Sequence, residues 1–304
     1  MNPFVADKKL TAIALGYKNE GFIADMVAPR TPVLSETFKW TEYNSDEMLT
    51  IPNTMVGRKG RVNQVEFTAT EKSDSVLDYG LEDVIPMADV NAAKGHPSIN
   101  PEGNISLKLS ELISLGREKR IANTVMNAAN HTHNEVITGT DKWTDPASKP
   151  IEQITDAMNT PLVTPNTLVL GVSEALALRR NVQIVKAFHG NDGQEGLVPL
   201  SFIEQLFNVK ILVGVSRHNS QREGQTAVIE RLWTGGAALL YIKPAAQLRD
   251  DLTYMLTAEY ETRVSGSWED KNVGLRGGKV VRVGESVKEV LMAKAASYFL
   301  QSVI

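Results

Sequence analysis

Two histidines that lie close together are the first candidates for chemistry, because imidazole is a common metal ligand. His131 and His133 are followed by Glu135. Side chains two residues apart point the same way only on a strand, whereas these histidines follow the end of a predicted helix. No third or fourth ligand is evident nearby. We interpret the pair as a solvated helix end, and we predict no metal and no cofactor.

A glycine-rich stretch resembles part of a phosphate-binding loop. Gly274, Gly277 and Gly278 precede Lys279. Such a loop needs a hydroxyl residue after the lysine to hold magnesium, and a helix whose N-terminus faces the phosphate. Here Val280 follows and opens a β-branched run. The stretch is therefore predicted to be a turn between two strands.

A serine and a pair of acids complete the candidates for catalysis. Ser173 follows Gly171-Val172, close to a nucleophile elbow, but the second flanking glycine is absent and a helix N-cap explains the serine. Asp250 and Asp251 are adjacent, and adjacent side chains diverge on either regular element, so a solvated turn is predicted. Because no titratable cluster has the spacing of an active site, we predict that the chain is not an enzyme.

The composition is that of an ordinary globular protein. The 304 residues are 42% hydrophobic and 22% charged, with a net charge of −4 that gives no bulk attraction to nucleic acid. The absence of cysteine excludes disulfides, thiolate metal sites and cysteine nucleophiles. No window approaches the roughly 20 apolar residues that span a bilayer. We predict a soluble protein, made in the cytoplasm, with no membrane partner.

The N-terminal quarter of the chain has little core-forming potential of its own. Residues 1–32 are predicted to be an arm with short apolar patches, and residues 33–72 a long hairpin with limbs at 37–50 and 61–70. The limbs are mostly polar on both faces. A two-stranded ribbon is marginally stable alone in water, and its exposed edges invite pairing with another chain. The hairpin is thus a first indication of obligatory assembly.

Stronger periodic patterns follow this region. Pro101 to Asn130 is predicted to be the longest helix, about 40 Å at 1.5 Å per residue. A compact α/β unit then runs to Pro244, with strands at 167–171, 210–215, 227–233 and 237–243, a helix capped by Ser173 through Phe188, and a helix after Pro199. A long strand at 252–264, a loop at 265–278 and a strand at 279–290 complete the pattern, and 291–304 is ambiguous between helix and strand.

This order of elements resembles the Hong Kong ninety-seven-type fold of major capsid proteins from tailed double-stranded-DNA bacteriophages. Local sequences are similar too. The start of such proteins resembles Leu10-Thr11-Ala12-Ile13-Ala14, Phe22-Ile23-Ala24-Asp25 and Pro29-Arg30-Thr31-Pro32-Val33, and their end resembles Val273-Gly274-Leu275-Arg276-Gly277-Gly278 and Arg282-Val283-Gly284-Glu285-Ser286-Val287-Lys288-Glu289. The resemblance covers essentially the whole chain, and the order of the motifs is more specific than any single motif.

The resemblance implies an α+β capsid fold in five segments. These are an N-terminal arm (1–32), an extended β-hairpin loop (33–72), a peripheral domain (73–163) with a spine helix at about 101–130, a compact α/β axial domain (164–244), and the peripheral long strands with the C-terminal segment (245–304). It also implies a structural role: hexamers and pentamers of the chain close an icosahedral shell around double-stranded DNA, without sequence-specific binding.

The same resemblance implies partners and a location. The partners are further copies of the chain, a separate scaffolding protein and a portal, and a decoration protein is left open. The location is the virion capsid, assembled in the host cytoplasm. Some members of the fold join their subunits by an isopeptide bond. Lys59, Asn272 and Glu285 are the residue types that such a bond would need here.

Charge suggests how copies of the chain would meet. Three cations, Arg58, Lys59 and Arg61, cluster at the predicted hairpin tip. Four acids lie on or after the long strand: Glu259, Glu261, Glu269 and Asp270. We expect these opposite charges to meet across subunits, although one exposed pair contributes only about 0–1 kcal/mol.

Three other classes of protein remain open from the sequence. An encapsulin-like cellular compartment would share the fold and also lack an active site. An enzyme built on the α/β region at 167–243 would show a titratable cluster in a cleft. A tail-tube protein would form rings or tubes rather than closed shells.

Overall fold

A computed structural model describes residues 6–16, 19–43, 50–65, 69–95, 100–190, 195–222, 224–244, 246, 248 and 251–304, without the side chains of 41–43 and 69. The arm and hairpin region contains α1 (Lys8–Gly16), α2 (Ala24–Val27), β1 (Arg30–Val33), β2 (Thr37–Tyr43), β3 (Ala69–Ser75), β4 (Leu77–Pro86) and α3 (Met87–Ala93). The fold is mixed α and β, as predicted.

The predicted spine helix is confirmed as α4 (Pro101–Val125), which has 25 residues. The Asn100 side chain caps it by accepting a hydrogen bond from the Gly103 amide at 3.0 Å, and Pro101 occupies the first turn, where its missing N–H costs nothing. The helix ends five residues before the predicted end. A 3₁₀ turn, Ala128–Asn130, follows because the Asn127 side chain accepts a bond from the Ala129 amide.

Helix α4 packs against a four-stranded sheet in the order β1-β11-β12-β4, where β11 is Met255–Asp270 and β12 is Gly278–Leu291. Strand β1 runs parallel to β11, and the other neighbours are antiparallel. The predicted loop at 265–278 is wrong in its first part, because β11 continues to Asp270. A β-bulge between Tyr260 and Val264 shifts the register, and the polar Ser265 is then buried against Ser106 of the helix.

A five-stranded sheet forms the second layer, in the order β5-β13-β10-β6-β7. Its strands are β5 (His133–Val136), β13 (Ser297–Gln301), β10 (Gly236–Leu240), β6 (Thr167–Gly171) and β7 (Lys210–Gly214). Helices α5 (Pro150–Asn159), α6 (Val172–Arg180), α7 (Val182–His189) and α8 (Leu200–Phe207) surround it. A small hairpin of β8 (Arg217–Asn219) and β9 (Ile229–Arg231) projects from the unit, and β9 is shorter than the strand predicted at 227–233.

The C-terminal segment corrects the predicted division of the chain. It was grouped with the long strands, but β13 pairs with β10 and β5 of the five-stranded sheet. The reason is burial: Phe299 and Leu300 are 2% and 0% exposed in the two cores on either side of β13. Residues 133–136 also belong to this sheet, because β5 pairs in parallel with β13. They had been grouped with the peripheral domain.

The helix predicted from Ser173 through Phe188 is two helices. It breaks at Asn181, whose side chain turns back to accept a hydrogen bond from the Gln183 amide at 2.9 Å and so caps α7. The predicted N-cap at Ser173 is also wrong. Gly171 stands at that position, without a side-chain bond, and Ser173 lies inside α6.

The predicted hairpin exists with a different second limb. Strand β2 pairs with β3 at 69–75, whereas residues 61–65 form no strand. Packing at the root accounts for the register, because Phe38 of β2 is buried with Leu256 and Val290 of the long strands. The remaining predicted limb positions, 44–49 and 66–68, lie outside the described residues.

Candidate assembly surfaces and their buried support

Residues 50–65 form the most exposed segment that the structure describes. Every one of them is exposed, including the apolar side chains of Ile51 (91%), Met55 (83%) and Val62 (75%). A turn in which the Gly60 amide donates to the Gly57 carbonyl at 2.8 Å forms the tip. Apolar side chains left in water favour association, so this segment is a candidate contact with another molecule.

The predicted cations are all displayed by this segment. Arg58 and Lys59 lie in the turn and Arg61 follows it, and each is exposed. No acidic residue lies between positions 50 and 65. The tip is therefore an uncompensated positive charge beside apolar side chains.

The four predicted acids differ in availability. The Glu259 carboxylate accepts a bond from Arg30 Nη1 at 2.6 Å, so it is engaged within its own chain. Glu261 is exposed at the bulge, with a φ of 57°, and Glu269 is exposed near the end of β11. Asp270 is half-buried and accepts a bond from the Asn272 amide at 2.9 Å. Contact of these acids with a neighbour stays a prediction.

A buried ion cluster lies where the arm crosses the long strands. Glu285 of β12 is 3% exposed and bonds Arg30 of β1 at 3.1 Å and Arg263 of β11 at 2.8 Å. Burial alone would raise the pKa of Glu285, but the two guanidinium groups outweigh it and hold the pKa below its ordinary value. The carboxylate thus stays charged and ties three strands together.

A second arginine connects the arm to the spine helix. Arg117 of α4 is 2% exposed and bonds Asp25 of α2 at 2.5 Å, the Ala28 carbonyl at 2.9 Å and Thr257 at 2.9 Å. Burial alone would raise the pKa of Asp25, but the charges of Arg117 and Arg30 outweigh burial and hold the pKa below its ordinary value. The arm is therefore fixed by charge-assisted bonds as well as by apolar contact.

Glu118 is the point where arm, spine helix and five-stranded unit meet. Its carboxylate accepts bonds from the amides of Ile23 and Ala24 at 3.1 and 2.8 Å. It also accepts a bond from Trp233 Nε1 at 2.7 Å, and Glu118 is fully buried. No local pattern singled out Arg117 and Glu118, because their partners are up to 140 residues away in the chain and leave no local signal.

A cleft of about 430 Å³ opens beside this cluster. The arm contributes Phe22 and Pro29, the spine helix contributes Ser114, and the bulge contributes Thr262. No group of His, Asp or Glu side chains that could hold a metal occurs among the described residues. Charged residues of the ion cluster line the same cleft, so it lies between the arm, the spine helix and β11.

The sequence candidates for chemistry have structural partners. His131 is not solvated as predicted: it is 4% exposed, between Ser297 Oγ at 2.9 Å and the Val125 carbonyl at 2.8 Å. Burial lowers its pKa to about 4. His133 lies on β5, where its ring stacks on that of Tyr298.

The other candidates are also accounted for. Gly274 and Gly277 lie in the turn between β11 and β12, as predicted, and Lys279 bonds Glu102 at 2.6 Å. Asp251 pairs with Lys243, and Asp250 lies outside the described residues.

The residues that an isopeptide bond would need do not form a prepared site within one chain. Lys59 and Asn272 are exposed, but Glu285 is buried beneath Arg30 and Arg263. A carboxylate held by two guanidinium groups is a poor proton acceptor, because accepting a proton breaks both pairs.

The fold places the chain in the class of proteins with a capsid fold. A phage-related protein from Bordetella bronchiseptica matches with a TM-score of 0.77 at 19% identity, over 98% of both chains. The capsid structure of cyanophage P-SCSP1u matches with a TM-score of 0.61 at 10% identity, over 99% of this chain and 92% of the other. A virus-like particle from Pyrococcus furiosus matches with a TM-score of 0.57 at 12% identity, over 97% and 98%. At these identities the likeness shows the capsid fold.

Sequence relatives identify the family within that class. No family profile matches the chain. The major capsid protein of Pseudomonas phage JBD67 is 42% identical over 305 residues, 99% of this chain and 98% of the relative. The major capsid protein of Burkholderia phage BcepMu is 23% identical over 310 residues, 98% and 97% respectively. The chain belongs to the family of bacteriophage major capsid proteins.

This membership decides between the alternatives left open by the sequence. The chain is a structural protein of a virion capsid and assembles with copies of itself into a shell. The α/β region at 167–243 is part of the capsid fold, because β13 from the C-terminus completes its sheet. No helix in the described ranges is long and apolar enough to cross a bilayer.

Proposed function

We propose that this chain forms hexamers and pentamers that close an icosahedral shell around double-stranded DNA in the host cytoplasm. A separate scaffolding protein and a portal would be its partners during assembly, and the shell would turn over no substrate. The exposed, cationic and apolar segment 50–65 carries the proposal, because apolar side chains left in water favour contact with another molecule.

The parts of the subunit take proposed roles in this shell. The arm and the hairpin with its tip would reach a neighbouring subunit. The layer of β1, β11, β12, β4 and α4 would be the peripheral domain, and the five-stranded unit would be the axial domain at the capsomer centre. The net charge of −4 supports enclosure of DNA without sequence-specific binding, since no bulk positive charge draws the chain to phosphates.

The tip cations would contact acids of the neighbour. Of the predicted acids, Glu261, Glu269 and Asp270 are the ones that the described contacts leave most accessible. Each exposed pair is weak, about 0–1 kcal/mol, so the contact gains its effect from repetition around the capsomer and the shell.

Native mass spectrometry of the purified chain tests the capsomer directly. The expected species have six and five times the subunit mass of 33.3 kDa. A deletion of residues 53–61 should reduce these species to monomers while circular dichroism stays unchanged. A wild-type chain that remains monomeric under all assembly conditions, including with its candidate scaffolding protein, would contradict the proposal.

A further inference from the structure

The small β8–β9 hairpin is held at both of its ends by one carboxylate of the spine helix. Ser216, just before β8, donates from its hydroxyl to Glu118 Oε1 at 3.3 Å, and Trp233, just after β9, donates from Nε1 to the same oxygen at 2.7 Å. The two ends also bond each other, because the Leu232 amide donates to the Ser216 carbonyl at 3.1 Å. Ser216, Leu232 and Trp233 are called the hairpin base below.

The N-terminal arm binds the same carboxylate. The Ile23 amide donates to Glu118 Oε1 at 3.1 Å and the Ala24 amide to Oε2 at 2.8 Å. The arm also passes close to the hairpin, since a Cβ added to Gly21 would lie 3.1 Å from Val215 Cγ2. Glu118 is fully buried, and a buried charge depends on its hydrogen-bond donors. Four donors from two segments thus support one charge, so loss of either pair weakens the position of the other.

Apolar packing joins the same two segments. Ile23 and Val27 of the arm belong to one buried cluster with Leu232 and Trp233 of the hairpin base. The Trp233 side chain is fully buried. Its ring packs so closely on the end of β7 that a Cβ at Gly214 would lie 2.1 Å from it. Opening of the arm would therefore uncover part of the cluster that holds Trp233.

We propose that docking of arm residues 21–28 controls the β8–β9 hairpin of the same subunit, with Glu118 as the residue that couples them. With the arm docked, the carboxylate is fixed and holds both ends of the hairpin. With the arm released, Glu118 loses two donors, water reaches the hairpin base, and the hairpin is freed. The hairpin displays Val228 and Ile229 at 43% and 57% exposure, so the arm sets the orientation of an apolar surface. The coupling lies within one subunit and does not depend on the proposed shell.

The alternative is a hairpin that its own sheet unit holds without the arm. An anchor of that kind exists beyond the hairpin base, where the Gly235 amide donates to Glu174 Oε1 of α6 at 3.0 Å. If this anchor were sufficient, opening of the arm would leave the hairpin base unchanged. The two cases differ in whether the arm and the hairpin base open together.

Hydrogen exchange of the unassembled wild-type chain in low urea distinguishes them without any variant. Segments that open as one cooperative unit exchange with the same free energy and the same dependence on denaturant. The proposal expects the Ile23, Ala24 and Leu232 amides to share both values, with the amides of β6 as the reference for global unfolding. A Leu232 amide that follows β6 while the arm amides open earlier would overturn the proposal.

A variant at the hairpin base tests the coupling toward the arm. Trp233→Phe keeps an aromatic ring and removes the N–H that Glu118 accepts. The Ile23 and Ala24 amides should then exchange about tenfold faster relative to β6, as expected for loss of a bond to a charged group. Trp143→Phe is the matched control, because the Trp143 side chain is also buried and its Nε1 donates to Gln153 at 2.8 Å, away from the arm. Arm exchange in Trp233→Phe equal to that in the control would overturn the proposal.

A variant in the arm tests the coupling in the other direction. Asp25→Ala removes the carboxylate that Arg117 and Arg30 bond, and it changes neither Glu118 nor the hairpin. Exchange of the arm amides and of the Leu232 amide should both become several-fold faster. Glu289→Ala, which removes the carboxylate bonded by Arg120 of the same helix, is the control and should leave the Leu232 amide unchanged. Faster exchange of the arm in Asp25→Ala with wild-type exchange at Leu232 would overturn the proposal.

Discussion

Arg30 and Glu285 form a partly buried ion pair of 3.1 Å between residues 255 positions apart in the chain. The pair joins β1, at the end of the arm, to β12 of the four-stranded sheet. Arg263 of β11 also bonds Glu285, at 2.8 Å. The subunit thus fixes its assembly arm with charges inside its own fold, and it leaves the tip cations free for other molecules.

Removing the charge of Glu285 should destabilise the subunit. In Glu285→Gln, the buried guanidinium group of Arg263 would lose its carboxylate partner, and Arg30 would keep only its pairs with Asp25 and Glu259. We expect the free energy of unfolding to fall by about 3 kcal/mol, as for other buried pairs that lose one partner. Urea unfolding of the unassembled chain measures this. Glu269→Gln, at an exposed position, is the matched control, and equal stability of the two variants would contradict the structural role of the cluster.

Acid should weaken the subunit through His131. Its pKa is about 4 in the fold against 6.5 unperturbed, so the unfolded chain binds the extra proton between these values. Stability is therefore complete above about pH 6.5 and falls as the pH drops toward 4, by about 3 kcal/mol for this group.

The carboxyl groups of Glu285 and Asp25, whose pKa values lie below the ordinary 4.5 and 3.8, add to acid instability when they become protonated at still lower pH.

In His131→Gln the loss of stability between pH 6.5 and 4.5 should be reduced. The control is His133→Gln, at a partly exposed position on β5, which should leave this loss of stability unchanged. Identical pH profiles for wild type and His131→Gln would show that His131 titrates normally.

Glu118 should control whether the arm stays docked. In Glu118→Gln, the side-chain amide would point an N–H at donors from Ile23, Ala24 or Trp233, which loses a bond and adds a repulsion. We expect trypsin to cut within residues 6–30 at least several-fold faster, because the arm opens more often. Lys119→Gln, exposed on the same turn of the helix, is the control. An unchanged cleavage rate would mean that apolar contacts alone hold the arm.

Charge reversal at the tip should weaken assembly without affecting the fold. Arg58→Glu with Lys59→Glu places like charges against acidic neighbours, so assembly should be weakest at low salt and recover as added salt screens the repulsion. Light scattering across a salt series measures this. Arg276→Glu with Lys271→Glu, in the exposed turn between β11 and β12, is a matched reversal elsewhere. Wild-type salt tolerance in the tip variant would count against the charge contact.

Local patterns predicted some of these elements and missed others for physical reasons. The spine helix and β6 were predictable because proline, periodicity and burial agree locally. The extension of β11 was not, because Ser265 and Ser267 look like loop residues until the bulge turns them toward Ser106 and Glu102 of α4. The sheet that β13 joins was not predictable either, because the apolar pattern of a segment does not specify which strands it pairs with.

The supporting charges were harder still to predict. Arg117 and Glu118 fit a polar helix face by spacing, and only the tertiary fold brings Asp25 and Trp233 to them. The tip cations were predictable as a cluster, since exposure needs no distant partner. Their receiving surface depends on a second subunit, which one sequence does not place.

Electron microscopy of the purified chain tests the central claim most directly. We expect wild-type protein, alone or with its scaffolding protein, to form closed shells of uniform diameter. A chain in which a glycine-serine linker of equal length replaces residues 53–61 should stay folded and form none. Regular shells from that variant would contradict the role of the tip, and a wild-type chain that forms only open tubes or small soluble oligomers would contradict the capsid assignment itself.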